Sequence, residues 1–261
     1  MWIVNLTLFL LVVLLFTLDR VRNSTTYEGF EYSSKLSVKD IENLKKGQAI
    51  MTRMLKDFDA ICIKNNITYF IFAGNLIGQR LYGGWIPWDA DVDLYVAEKD
   101  YNKLKNVLVN TPLKNTWYQT LETDRHYLRP IGALPIGKIH DLTSCYKKCQ
   151  DGTKWHNGLQ IDLNTYKVVN NKIVFNTRNP GELRIEKGIS LPDIFPLKRV
   201  KYDNIVVNSP QNPDKMLDLH YGKKWREIPP ISSRYPHEGR IDPNNTCEHH
   251  YKMYPNLYPS R

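Results

Sequence analysis

GWIPWDADVDLYV, residues 84–96, carries the pattern from which the architecture follows. Asp89, Asp91 and Asp93 occupy alternate positions within it. Because alternate side chains of an extended strand share a face, the spacing predicts three carboxylates on one face and apolar side chains on the other. Carboxylates packed so closely repel one another unless a cation lies between them, and their oxygens suit Mg²⁺ or Mn²⁺. An acidic surface strand is the alternative, although Asp is disfavoured in strands.

The residues before the carboxylates form a second part of the pattern. Residues 68–73, TYFIFA, predict a strand that ends at Gly74, and residues 75–84 predict a short helix and a turn. A strand, a glycine, a short helix and a D-x-D strand follow one another in nucleotidyltransferases. In that layout the glycine turn holds the nucleotide phosphates and the carboxylates hold the metal.

Two later segments supply further candidates. Asp162 lies in the apolar run LQIDLNTY, where a charge is expensive unless it is paired or bound to metal, although an N-cap or edge-strand Asp is the alternative. Lys138 and His140 alternate along another predicted strand. Lys138 is a candidate contact for a donor phosphate, and His140 is either a base or a polar edge residue.

The run AGNLIGQRLYGGWIPWDADVDL, residues 73–94, resembles the LicD/fukutin signature GGTLLGxxRxxxFIPWDDDIDI without a gap. The segments KIHDLTS, IDL, FPLKRVKYDNIVV and LDLHYGKKWREIPP are similar to later blocks of that family, so the resemblance covers roughly residues 44–230. It implies an α+β, nucleotidyltransferase-like fold with a mixed sheet flanked by helices. It also implies transfer of phosphocholine, polyol phosphate or sugar phosphate from a nucleotide-diphosphate-linked donor to a glycan or glycoprotein acceptor.

The resemblance also implies a set of site residues. Asp89, Asp91, Asp93 and Asp162 would be catalytic, and the last three would bind Mg²⁺ or Mn²⁺. Asp162 can serve instead as the base that takes the acceptor proton. The residues that would contact the donor are Gly74, Asn75, Arg80 and Lys138.

This chain departs from the family signature at three places. Ala73 and Asn75 replace the first Gly and the Thr or Ser of the glycine turn, and Ala90 replaces the second Asp. The family Arg falls on Leu81, one position after Arg80. Ala90 lies on the opposite face of an extended strand from its neighbours, so the predicted metal face is unaffected.

Composition and pattern divide the chain into four parts. We expect a transmembrane signal-anchor over residues 1–19, a polar stem over 20–35, a catalytic domain over 36–230 and an irregular tail over 231–261. The apolar run over 2–18 would span about 26 Å as a helix, which matches an early-secretory bilayer of about 27 Å. A cleaved signal peptide is the alternative, but no A-x-A-like site follows.

Glycosylation sequons and net charge indicate the cellular location of the protein and the class of its binding partners. Sequons at Asn23, Asn66 and Asn244, together with the resemblance, favour a single-pass protein of the endoplasmic reticulum or Golgi with a lumenal body. The positive-inside rule gives no support, since Arg20 and Arg22 follow the span. A net charge of +9 would draw nucleotide diphosphates. Nucleic acid is not expected, because the basic residues are scattered and no binding module is recognisable.

The four cysteines do not amount to a disulfide scaffold. Cys62 fits the apolar face of a helix over residues 36–65 and is predicted to lie in the core. A Cys145–Cys149 disulfide that leaves Cys247 unpaired is favoured over structural zinc bound by these three cysteines and a nearby histidine.

The remaining pattern predicts ordinary elements. They are a helix over residues 98–109, strands over 127–139 and 159–168, a hairpin strand over 172–176, and a helix over 213–221 that stops at Gly222.

The sequence therefore predicts a metal-dependent phosphotransferase of the LicD type. The alternatives are a catalytically silent lumenal scaffold or glycan-binding protein, and a conventional nucleotidyltransferase that modifies protein or RNA. A hydrolase with a Ser or Cys nucleophile has no supporting motif.

Overall fold

A six-stranded mixed sheet forms the centre of the computed structural model, which describes residues 24–120, 122–124, 136–146, 158–176 and 179–257. The predicted membrane span over residues 1–19 and the sequon at Asn23 lie outside these residues. Within the part that is described, no helix is both long enough and apolar enough to cross a membrane.

The secondary-structure elements alternate along the chain. The strands are β1 (Ser24–Tyr27), β2 (Phe30–Ser33), β3 (Tyr69–Ile71), β4 (Val92–Ala97), β5 (Thr116–Gln119), β6 (Gly137–Asp141), β7 (Cys145–Tyr146), β8 (Gln160–Val169), β9 (Lys172–Phe175), β10 (Lys198–Tyr202), β11 (Ile205–Ser209) and β12 (Ile241–Asp242). The α-helices are α1 (Val38–Lys64), α2 (Ala73–Tyr82), α3 (Glu98–Asn110), α4 (Pro180–Gly188), α5 (Leu191–Ile194), α6 (Pro213–Tyr221) and α7 (Glu248–Met253). Short 3₁₀ turns occupy Lys223–Arg226, Ile231–Ser233 and Pro255–Leu257.

The central sheet has the strand order β3-β4-β8-β6-β5, and β9 pairs with the end of β8. β4 and β8 are parallel, and the other pairs are antiparallel. Helices α1 and α3 contact β8, and α2 contacts β4. This arrangement confirms the predicted α+β class and the mixed sheet flanked by helices.

Helix α1 supplies much of the core. Ser37 caps it, and a capping box joins the Ser37 side chain to Asp40. The apolar stripe of the helix is buried, and Cys62 belongs to it as predicted. Buried aromatic side chains of β3 and β4 pack beside it, with the rings of Phe58 and Tyr69 edge to face at 5.2 Å.

The segment before α1 differs from the predicted stem. Within the segment predicted as a polar stem, residues 24–33 form an antiparallel hairpin. Its turn residues Glu28 and Gly29 both have positive φ, as a two-residue hairpin turn requires. Tyr32 is fully buried, so the hairpin is part of the folded body.

The cysteine pairing also differs from the prediction. Cys145 forms a disulfide with Cys247 across a sequence separation of 102 residues. The pairing of β7 with β12 brings these chain segments together. Both the Cys145–Cys149 disulfide and the zinc site are therefore wrong, since each requires a free Cys145; Cys149 itself lies outside the described residues.

The predicted irregular tail and one strand also need correction. Residues 231–257 contain β12 and the short helix α7, and Ile241 and Cys247 are buried. The strand predicted over residues 127–139 is found at Gly137–Asp141, and residues 125–135 lie outside the described part. Helix α6 has the predicted bounds and ends at Gly222.

Candidate functional site

A row of polar side chains crosses the sheet from strand to strand. Asp93 on β4 pairs with Asp162 on β8, and Asp162 pairs with Lys138 on β6. Paired residues on neighbouring strands point to the same face and lie about 5 Å apart. The sheet register therefore brings together three predicted site residues that are distant in sequence.

Asp89 and Asp91 approach this row from a loop rather than from the strand. β4 begins at Val92, so the prediction that all three aspartates lie in one strand is wrong. Two buried side chains fix the loop instead. The Nε2 amide of Gln48 donates to the Asp89 carbonyl at 2.9 Å, and the Tyr146 hydroxyl donates to the Ala90 carbonyl.

Asn75 fixes the same loop from the helix side. Its Oδ1 accepts the Asp93 amide at 2.6 Å, and its Nδ2 donates to the Asp91 carbonyl at 3.1 Å. The Nδ2 group also donates to the Tyr202 hydroxyl at 3.2 Å, and the residue is 1% exposed. Asn75 thus positions the carboxylates, whereas the sequence predicted a contact with donor phosphates.

Gly74 provides room for the first carboxylate. A Cβ atom on Gly74 would lie 2.4 Å from Asp89 Oδ2, a distance that no side chain tolerates. The close approach predicted at this glycine therefore involves Asp89. Ala73, which occupies the family's first Gly position, adopts a φ of +47°, a left-handed conformation that favours glycine.

Lys138 and Asp162 form a buried ion pair. The Lys138 Nζ donates to Asp162 Oδ1 at 2.6 Å, and Lys138 is 1% exposed. The ammonium therefore already has a partner within the site. A contact with a donor phosphate, as the sequence predicted, would have to share this group with Asp162.

Arg80 lies in a separate ion pair. Its guanidinium donates to both oxygens of Asp214 at 2.6 and 3.2 Å, and the two side chains are about 40% exposed. The guanidinium is thus committed to the start of α6. Contact with a donor would require Arg80 to exchange this partner.

His140 does not face an open cleft. It is buried, its Nε2 lies 2.7 Å from Gln119 Oε1, and its ring stacks on Trp117. These contacts favour a role in packing β5 against β6 over a role as base.

Two residues near the carboxylates were missed from the sequence, and a third, Tyr221, was interpreted as structural. The C-terminal strap, defined here as residues 229–247, brings His237 and Glu238 to Asp91. His237 Nε2 lies 3.6 Å from Asp91 Oδ2 and also contacts Glu238 Oε1. Although Tyr221 is 44% exposed overall, desolvation, followed by the charges of Asp93 and Asp89, raises the pKa of its hydroxyl. The adjacent His and Glu offered no periodic signal, whereas Tyr221 lay in a segment resembling a family block.

Electrostatics make this cluster unfavourable without a cation. Burial, followed by repulsion from Asp91, raises the pKa values of Asp89 and Asp93 well above the ordinary carboxyl range. Burial also raises the pKa of Asp162, although the Lys138 ammonium opposes the shift. Burial and the charge of Asp91 raise the pKa of Glu238 to about 7, and the hydrogen bond to Glu238 raises that of His237 to about 9.

The donor set fits a divalent ion. Asp91, His237 and Glu238 bring one potential ligand atom each within 4.8 Å of one another, and this is the one such group of three among the described residues. Only Asp91 belongs to the predicted set of metal ligands. Asp93 and Asp162, paired side by side on β4 and β8, lie close enough for the charge of Asp91 to raise their pKa values, so further carboxylates adjoin this group.

Two comparisons with known proteins, one against family models and one against individual proteins, both match the LicD family. The model of the family described as LicD/FKTN/FKRP, nucleotidyltransferase domain, matches residues 66–212. A lipopolysaccharide cholinephosphotransferase, LicD, of Haemophilus influenzae is 28% identical over 138 residues, which are 51% of this chain and 48% of that protein.

Two uncharacterized rickettsial proteins are also similar. The one from Rickettsia prowazekii is 25% identical over 71% of this chain and 58% of its own length. The one from Rickettsia typhi is 25% identical over 78% of this chain and 55% of its own length. The chain thus spans about half the length of the relatives it matches.

Proposed function

Because the chain belongs to the LicD/FKTN/FKRP nucleotidyltransferase-domain family, we propose that it transfers a phosphorylated alcohol or sugar from a nucleotide-diphosphate-linked donor to a glycan or glycoprotein. Phosphocholine is the first candidate for the transferred group, since a similar protein is a cholinephosphotransferase. Polyol phosphate and sugar phosphate are the others.

One observation carries the proposal. Asp93 and Asp162 lie side by side on parallel strands, Asp91 precedes the first of them, and all three fall within the matched residues 66–212. Phosphoryl transfer depends mainly on positioning and on neutralising charge, and clustered carboxylates provide both through a bound cation.

We propose that Asp91, Asp93 and Asp162 hold Mg²⁺ or Mn²⁺. An ion held there would neutralise charge on the donor pyrophosphate. The protein's own part is to orient the carboxylates, through Asn75 and Gln48 on the loop and through Lys138 on Asp162. Asp89, seated against Gly74, would help to orient the donor.

Asp162 has two candidate roles in this scheme. As a ligand it would share the ion with Asp91 and Asp93. As a base it would accept the proton of the acceptor hydroxyl, for which its raised pKa is suited. Asp162→Asn separates the roles, because only the ligand role predicts weaker metal-dependent donor binding.

We further propose a lumenal location in the endoplasmic reticulum or Golgi, with residues 1–19 as a single-pass anchor. The Cys145–Cys247 disulfide supports an oxidising compartment, because such bonds rarely persist in the cytosol. Asn66 and Asn244 lie in turns where a glycan can be attached. A mobility shift on glycosidase treatment of protein from secretory-pathway cells would test this. An unshifted band, with protease access from the cytosolic side, would reverse the orientation.

The transfer reaction is tested with the full chain purified in detergent. CDP- and GDP-linked donors are supplied with glycan acceptors, and release of CMP or GMP is followed with Mg²⁺, with Mn²⁺ and with chelator. We expect chelator to abolish release and Asp91→Asn to lower it about 100-fold or more, since even outer residues of metal sites contribute about 10–100-fold. Asp57→Asn on α1 is the matched control and should keep full activity.

Two results would count against the proposal. Full activity in chelator or in Asp91→Asn would remove the metal role. Donor or glycan binding without any transfer would favour the silent lumenal protein, an alternative kept open by Ala73 and by the engaged Asn75 amide.

A further inference from the structure

The C-terminal strap crosses the site between two fixed points. At its start, Arg234 accepts a hydrogen bond from the Ser33 amide at 3.1 Å and stacks its guanidinium over Trp88 at 5.6 Å. At its end, β12 pairs with β7, and Cys247 is bonded to Cys145. His237 and Glu238 lie between these anchors, so their positions beside Asp91 are held by the fold.

The geometry of the three side chains suits a single ion. Their nearest ligand atoms lie within 4.8 Å of one another. Atoms bound to one divalent ion at about 2.0–2.6 Å each lie no more than about 5 Å apart.

Glu238 provides an independent observation. The residue is 6% exposed, and its Oε2 atom is buried without a hydrogen-bond partner among the described residues. A buried carboxylate oxygen without a donor is costly, and such an atom in a native site calls for an explanation such as an ion. The neighbouring Asp91 cannot donate to it while ionised, whereas a cation would satisfy both.

We propose that His237 and Glu238 of the C-terminal strap are further ligands of the divalent cation held at Asp91, and that the imidazole makes the site prefer Mn²⁺ to Mg²⁺. Imidazole nitrogen is a good ligand for first-row transition metal ions, of which Mn²⁺ is one, whereas Mg²⁺ favours sites made of oxygen alone. This inference rests on the proposed metal dependence and is independent of the group transferred. It places two ligands outside residues 66–212, the part that matches the family.

The test measures metal binding directly. The full chain is titrated with Mn²⁺, and free ion is followed by electron paramagnetic resonance. We expect Glu238→Gln and His237→Ala each to weaken Mn²⁺ binding about tenfold or more, as loss of metal-site residues does. Glu248→Gln, an exposed glutamate paired with Lys252, is the matched control and should bind within about twofold of the wild type.

A second readout identifies the nitrogen ligand. Electron spin-echo modulation from ligand ¹⁴N should be present for Mn²⁺ on the wild type and absent in His237→Ala. His237→Asp, which restores an oxygen ligand, should keep Mg²⁺ binding and lower the preference for Mn²⁺. Because His237 is 74% exposed and Glu238→Gln is isosteric, thermal unfolding should show that both variants remain folded.

The outcomes separate this inference from the proposed function. If Asp91→Asn weakens Mn²⁺ binding while His237→Ala and Glu238→Gln bind as the wild type does, the strap ligands are refuted and metal-dependent transfer stands. Absence of ¹⁴N modulation in the wild type refutes the imidazole ligand. If the wild type binds no Mn²⁺, both the strap ligands and the metal role fail, and nucleotide release then reports on transfer alone.

Discussion

Replacing Lys138 with methionine tests how the sheet tolerates its row of carboxylates. Methionine fills a similar volume without the charge, so the change removes the ammonium that lies 2.6 Å from Asp162. Asp162 would then face Asp93 and Asp91 with no fixed cation among the three. Removing one partner of a buried ion pair costs about 3–5 kcal/mol, and a pair of charges about 4 Å apart is worth about 4 kcal/mol at an effective dielectric constant of about 20.

A double-mutant cycle isolates the pair. Asp162→Asn removes the opposite charge, and the double variant removes both. We expect Lys138→Met alone to lower the free energy of unfolding by about 3–5 kcal/mol, and the double variant to lose at least about 2 kcal/mol less than the sum of the single changes. Saturating Mn²⁺ or Mg²⁺ should reduce the loss in Lys138→Met, because a bound ion replaces the missing charge.

Urea unfolding followed by tryptophan fluorescence measures these differences. Lys215→Met is the matched control, because its ammonium also lies 2.6 Å from a carboxylate, that of Asp193, but is 41% exposed. An exposed pair contributes about 0–1 kcal/mol, so this variant should change little. If Lys138→Met costs no more than the control, or if the cycle shows no coupling, the buried pair does not hold the site together.

Two other changes have defined outcomes. Ala73→Gly should raise the free energy of unfolding by about 0.5–1 kcal/mol, because φ is +47° at this position and a left-handed L-residue costs about 1–2 kcal/mol. In contrast, the same change at Ala60, within α1, should destabilise by about 1 kcal/mol, and a loss at both positions would contradict the strain at Ala73. Cys247→Ser should lower stability by about 2–5 kcal/mol, since closing a loop of about 100 residues is worth about 4.7 kcal/mol in the chain-entropy model. Thermal unfolding with and without reductant checks this, and an equal loss in Cys149→Ser with none in Cys247→Ser would restore the Cys145–Cys149 pairing.

The sequence predicted those parts of the site that local pattern controls. Asp93 and Asp162 each alternate with apolar residues along a strand. This alternation predicted that each carboxylate points to the face of the sheet opposite its apolar neighbours. The period of two in a strand is enough for that inference. The parallel pairing that sets these two carboxylates side by side also depends on strand order and register, which the local pattern does not specify.

The other features of the site depend on contacts between residues distant in sequence, and such contacts produce no recognisable local sequence pattern. Asn75 looked like a phosphate ligand because the family places Thr or Ser there, but its amide reaches Asp91 and Asp93 across the turn. The choice between Cys149 and Cys247 as the partner of Cys145 depends on how β12 pairs with β7. A segment rich in Pro, Asn and Tyr has no periodicity that would aim its residues 237 and 238 at a carboxylate.

The path of the C-terminal strap determines how much of the chain must be kept when this domain is expressed alone or grafted onto another protein. A shortened protein ending at residue 212, where the family match stops, would retain Asp91, Asp93 and Asp162 but lose the β12 partner of β7. It would expose an unpaired strand edge and leave Cys145 as a free thiol, both of which promote association between chains. The region recognised by similarity is therefore smaller than the autonomous module, and grafting or expressing this domain requires the chain at least through Cys247.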